Sequence, residues 1–165
     1  MTPPAPILPD VLAPGLRVVF CGTAPGTASA KAGAYYAGPG NRFWLTLHEV
    51  GLTPILLRPA EFARLPEFGI GLTDISKTAS GSDQEVGRRG VDPARLTAAV
   101  AAASPAHLAF NGKNAARVAL GRPVDYGPQP ERIGNATLWV LPSTSGAARG
   151  FWDIGSWREL ATVAR

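Results

Sequence analysis

The chain is poor in the side chains that bind metals, close disulfides or act as nucleophiles. Cys21 is its only cysteine. One thiol cannot close a disulfide within the chain, and it rules out a cysteine-rich zinc site. It ends an apolar run with no basic group beside it in sequence, so it does not read as a nucleophile. The two histidines, His48 and His107, have no metal-ligand spacing. His48, next to Glu49 on a predicted helix, reads as surface; His107 opens a short strand and reads as structural. No apolar run is long enough to cross a bilayer. No positively charged leader opens the chain: residues 1–14 carry five prolines and read as a proline-stiffened arm rather than a folded element. The Gly-rich turns lack the Gly-x-Gly-x-x-Gly and Lys-Ser/Thr signatures of dinucleotide and P-loop sites. These absences point to a soluble, cytoplasmic protein.

What remains is enough for one folded unit. The chain has 165 residues, 45% of them hydrophobic, sufficient to bury a substantial core. The net charge is +4, a moderate basic excess compatible with a polyanionic partner. Residues 15–165 read as a single domain.

Strand and helix signals alternate along it. Arg17 to Cys21 reads as a first strand. Phe43, Trp44, Leu47 and Val50 lie at helical spacing after Asn41, with Gly51 as a stop. Pro59 to Leu65 reads as a short helix, and Gly71 to Ser76 as a weaker strand. It leads into a polar loop over Lys77 to Asp83. Asp92 before Pro93 is a strong helix start, continued by Leu96, Val100 and Ala103. His107 to Phe110 is a strand closed by Asn111-Gly112, and Lys113 to Leu120 a helix ending at Gly121. Asp125 to Asn135, rich in Gly and Pro, reads as loop. Thr137 to Leu141 is a strand and Ile154 to Val163 a final helix. This alternation predicts an α/β protein: a mainly parallel sheet covered on both faces.

Three segments carry the chemistry. Residues 18–26, Val-Val-Phe-Cys-Gly-Thr-Ala-Pro-Gly, are a buried strand delivering a tight loop to its C-terminal edge, where open α/β sheets bind ligands. Tyr35 and Tyr36 precede Gly38-Pro39-Gly40-Asn41-Arg42-Phe43-Trp44. Leu141-Pro142 precedes Ser143-Thr144-Ser145-Gly146-Ala147-Ala148-Arg149, again a strand, a small polar loop and a basic residue.

From about Asp10 to its end, the chain resembles the mismatch-specific uracil/thymine DNA glycosylases of the uracil-DNA glycosylase superfamily. The resemblance is strongest over Leu12 to Gly22, Gly38 to Trp44, and Trp139 to Pro142 with its Ser/Gly loop. It implies a three-layer α/β/α sandwich around a short, mainly parallel sheet. It also implies cleavage of the bond joining uracil or a related base to deoxyribose, with no metal and no cofactor. The expected substrate is double-stranded DNA with mismatched uracil, and single-stranded DNA as well, acted on by a monomer. Such an enzyme must flip the base out of the stack, at a cost of roughly a few kcal/mol.

By this resemblance Tyr36 stacks on the flipped base, with Tyr35 as its packing neighbour. Thr23 sits where the family's backbone contacts the base. Ser29 is either a polar contact or a helix-start serine, and Asn41 either an N-cap or part of the pocket. Phe43 and Trp44 read as core. Ser143, Ser145, Gly146, Ala147, Ala148 and Arg149 match the loop that enters the duplex, but Ala147, at the wedge position, is too small to fill the hole a base leaves. Arg88, Arg89 and Lys113 are possible phosphate contacts.

One departure stands out. The family's first motif usually reads Gly-x-Asn-Pro-Gly, its Asn holding the attacking water. Here Ala24 takes that place, and a methyl group cannot hold water. Asp83, in the polar loop, is the first candidate to replace it and Asp74 the second. Asp92 is better explained as a helix cap. The alternative is a catalytically impaired, lesion-binding protein of the same fold.

Overall fold

A computed structural model describes residues 5–165. Five strands form one sheet in the order β2-β1-β3-β5-β4. They are β1 (Val18–Gly22), β2 (Ile70–Asp74), β3 (His107–Asn111), β4 (Gly127–Ile133) and β5 (Ala136–Leu141). The first three neighbouring pairs are parallel, and β4 runs antiparallel to β5. The helices are α1 (Thr27–Ala32), α2 (Phe43–Glu49), α3 (Asp83–Val86), α4 (Pro93–Ala103), α5 (Lys113–Leu120) and α6 (Gly155–Val163). Pro59–Phe68 and Gly146–Phe151 are 3-10 segments.

The strands explain the layers. Alternate residues of β1 point to opposite faces. Val18 and Phe20 join a core with Phe43, Leu47, Leu65, Trp157 and Leu160. Val19 and Cys21 join a second core with Leu96, Val100, Ala115 and Ala116. The sheet is therefore buried on both sides, a three-layer α/β/α sandwich. Among the described residues, no helix is long and apolar enough to cross a membrane.

Asp92 caps α4 as its sequence implies, its carboxylate accepting from the Arg95 amide at 3.0 Å. Residues 27–32 form α1, which puts Ser29 in the first turn of a helix. Two segments differ from the sequence reading. Residues within 125–135 include a strand, β4, rather than only loop. Its prolines are tolerated because β4 lies at the sheet edge and its pairing shifts register between Pro128 and Arg132. Residues 5–14 have no helix or named strand, yet they are held against the sandwich; positions 1–4 of the proposed arm lie outside the described residues. Leu8 is buried, Val11 bridges Leu72, and the Ile7 amide donates to the Lys77 carbonyl.

β1 lies between β2 and β3, and the connection leaving β2 crosses over it. The chain thus reverses direction of winding at the C-terminal end of β1, which is where such sheets open a crevice.

Candidate active site

A cleft of about 1200 Å³ opens at that end. Five stretches wall it: the Gly22–Ser29 turn, the Tyr35–Arg42 loop, the Gly81–Gln84 segment, the Asn111–Asn114 turn, and the Ser143–Arg149 loop with Phe151. Thr23, Ala24, Ser29, Tyr36, Asn41, Asp74, Asp83, Ser143, Ser145, Gly146, Ala147, Ala148 and Arg149 all line it. They meet because each follows or ends a parallel strand at the same edge.

The Tyr36 ring is stacked on Phe43, centroids 4.1 Å apart and 28° from coplanar. Its backbone is left-handed, φ 52°, a conformation that costs a non-glycine residue of order 1 kcal/mol or more. Ser29 helps hold it there: its buried hydroxyl accepts from the Ala37 amide at 3.0 Å. Ser29 therefore acts on the loop that carries Tyr36. Asn41 both lines the cleft and accepts from the Phe43 amide at 3.0 Å, at the start of α2. Phe43 and Trp44 are core, as expected.

Asp74 ends β2 and faces Gly22 across the parallel register. It is 2% exposed, and among the described residues its Oδ2 has no hydrogen-bond partner. Lys77 Nζ lies 3.8 Å from that oxygen, beyond hydrogen-bond distance. The hydroxyl of Tyr36 is likewise buried without a partner. Burial pushes the Asp74 carboxyl up to about 7; Lys77 and Arg95 oppose the rise and Asp10 adds to it. Burial and the Asp74 charge also hold the Tyr36 hydroxyl well above its ordinary range, with Asn111 opposing. Asp83 differs in setting. It is the first residue of α3, after the Ser82 cap, and is exposed at the rim.

Several lining residues escaped the sequence reading. Asn111 donates to the Thr144 hydroxyl at 2.9 Å and accepts from the Thr144 amide at 3.0 Å, clasping the end of β3 to the Ser143–Arg149 loop. Asn114 donates to the Thr23 hydroxyl at 3.2 Å. The Arg42 guanidinium lies over Trp152, 5.1 Å from the ring centre. Phe151, next to Trp152, is 77% exposed. The signal was available: Asn111-Gly112 closes a strand at the same edge as Gly22-Thr23. Of the basic residues named from sequence, Lys113 lines the cleft and Arg88 and Arg89 do not. His107 accepts from Trp139 Nε1 at 3.0 Å, His48 is exposed, and burial pushes the Cys21 thiol up.

The family model of the uracil DNA glycosylase superfamily matches residues 9–161. The chain belongs to the uracil DNA glycosylase superfamily. The fold agrees with that of a candidate uracil DNA glycosylase from Methanosarcina acetivorans, solved by NMR in solution. The TM-score is 0.63 at 23% identity, covering 96% of this chain and 94% of that one. Membership supports a glycosylase role on DNA. For a uracil DNA glycosylase fold the cleft has a suitable form: a Gly/Pro turn offering backbone donors, an aromatic wall, and one buried carboxyl at the floor.

Proposed function

We propose that the protein is a monofunctional, mismatch-specific uracil-DNA glycosylase of base-excision repair. It everts uracil from G·U mismatches and from single strands and hydrolyses the N-glycosidic bond. In this reading the C1′–N1 bond breaks, uracil leaves as an anion, and positive charge develops on the sugar. Water attacks C1′, and Asp74 orients it and takes its proton. The negative carboxylate also stabilises the charged sugar. Backbone N–H groups of the Thr23–Gly26 turn receive the charge on the departing base.

The observation that carries this is the Asp74 carboxyl: buried, facing the cleft, with one oxygen unpartnered. Water held by Asp74 would occupy space that the Ala24 methyl leaves free. A proton affinity near neutrality suits a general base at working pH. The geometry favours Asp74 over Asp83, which is solvated at the rim. We assign base stacking to Tyr36 and duplex contact to the Ser143–Arg149 loop. Arg149 meets phosphate, and Phe151 supplies the bulk that Ala147 lacks.

The test is release of uracil from a fluorescent oligonucleotide, read by alkaline cleavage of the abasic site. Asp74→Asn should lose about 10²-fold or more in single-turnover rate, the usual size of a general-base contribution, whereas Asp83→Ala should keep the rate. A wild-type protein that binds uracil-containing DNA tightly without releasing the base would favour the lesion-binding reading that Ala24 motivates.

A further inference from the structure

Behind Asp74, outside the cleft, stands a second carboxylate that no part of the proposed chemistry uses. Asp10 Oδ1 accepts from Lys77 Nζ at 2.9 Å and from the Thr73 hydroxyl at 2.7 Å. Asp10 Oδ2 accepts from Arg95 Nη1 at 2.8 Å. These are the two cations closest to Asp74. Lys77 Nζ stays 3.8 Å from Asp74 Oδ2 and also donates to the Tyr35 hydroxyl at 3.0 Å. Arg95 reaches Asp74 only at its backbone carbonyl, at 2.6 Å. Asp10, Lys77 and Arg95 line a separate hollow of about 510 Å³ on the far side.

Asp10 is placed there by construction. The segment carrying it is fixed at Ile7, Leu8 and Val11, and the Tyr35 hydroxyl donates to the Pro9 carbonyl at 2.9 Å. Although burial pushes the Asp10 carboxyl up, the Lys77 charge and the bonds from Lys77, Thr73 and Arg95 carry it below its ordinary value, so it is charged.

We propose that Asp10 is a positioning residue for the reaction: it engages Lys77 and Arg95 and so keeps both from hydrogen-bonding the Asp74 carboxylate, leaving that carboxylate free to accept a proton from water. The inference rests on the reading of Asp74 as the water-activating group. A carboxylate hydrogen-bonded to one or two cations is a weak base. Among the described residues, the titratable groups facing Asp74 are the Cys21 thiol from β1, the Tyr35 and Tyr36 hydroxyls from the loop before α2, Lys77 after β2, Arg95 from α4 and Asp10 from the N-terminal segment. Burial holds the thiol and both hydroxyls protonated. Among the described residues the charged neighbours are therefore Asp10, Lys77 and Arg95. Removing Asp10 has one sign by both routes: it takes away a repelling charge and releases two attracting ones.

The experiment compares wild type with Asp10→Asn by carbon-detected NMR titration of the Asp74 carboxyl and by the pH profile of uracil release. Both the Asp74 midpoint and the acid limb of the profile should move down by about one pH unit, a tenfold loss of proton affinity. Asp10→Glu should move them back. Asp10→Ser, which keeps an oxygen for Thr73, is the second variant should Asp10→Asn fold poorly, and the same shift is expected. An unmoved midpoint in a folded variant overturns the proposal, as does a rate lowered equally at every pH. Were wild type to release no uracil, the glycosylase reading would fall, and the titration alone would still decide whether Asp10 sets the state of Asp74.

Discussion

A Cβ placed on Gly22 would stand 3.0 Å from Asp74 Oδ1 and 3.3 Å from the Tyr36 hydroxyl oxygen. The glycine thus leaves the gap in which the two side chains approach each other. Neither neighbour can swing away freely, because Asp74 is buried and Tyr36 is stacked on Phe43. Gly22→Ala should therefore displace the carboxylate by a few tenths of an ångström. The expected outcome is a loss of about tenfold or more in single-turnover uracil release with little change in DNA affinity, since small misplacements at a reacting centre are costly. Rate and binding isotherm measured on the same variant check it.

Asp74 also makes a prediction about stability. Its carboxyl titrates near 7 in the folded protein and at an ordinary value near 3.8 once unfolded. The folded state therefore binds this proton more tightly than the unfolded state, and stability falls as pH rises between those two values. Asp74→Asn removes the penalty. The variant should be more stable than wild type above pH 7, by of order a few kcal/mol at most, and the difference should close towards pH 4. Urea midpoints across that range measure it. The same substitution should abolish most of the activity, the trade expected where an active site stores an unfavourable group.

Contacts with DNA should separate by kind. Arg149, exposed on the cleft rim, is expected to meet phosphate. Arg149→Gln should weaken binding to all sequences alike and reduce the slope of log affinity against log salt by about one. Phe151 should matter only where a base leaves a hole behind it. Phe151→Ala should slow uracil release from a G·U duplex roughly tenfold or more while sparing single strands, because unstacking must then proceed without a wedge. Paired rate measurements on the two substrates distinguish this from a general folding defect, which would slow both.

Much of the fold was legible because its signals are local. Lys113–Leu120 carries its own stop at Gly121, and Asp92-Pro93 its own start, so α5 and α4 fall where the sequence places them. β4 was not legible because Pro128 and Pro130 argue against a strand in general, and only tertiary context reveals an edge. The cleft followed the same division. Residues after strand ends were legible as a group, since parallel strands deliver their C-termini to one side. The contrast between Asp74 and Asp83 was not, because it is set by burial in the folded chain: Asp74 ends a fully buried strand and Asp83 opens an exposed four-residue helix. Asp10 was hidden in a proline-rich stretch whose composition suggests an independent tail, and only its partners Thr73, Lys77 and Arg95 reveal otherwise.

The outer margin of the sheet has its own consequence. Pro128 and Pro130 offer no amide proton, and the opposite charges of Arg122 and Glu131, 2.6 Å apart, sit beside them. A foreign strand seeking to extend the sheet would find an interrupted row of donors and a charged fringe. This margin thus resists templated aggregation, so the apolar, almost continuously buried strands inside can be built without making the molecule adhesive to its own copies.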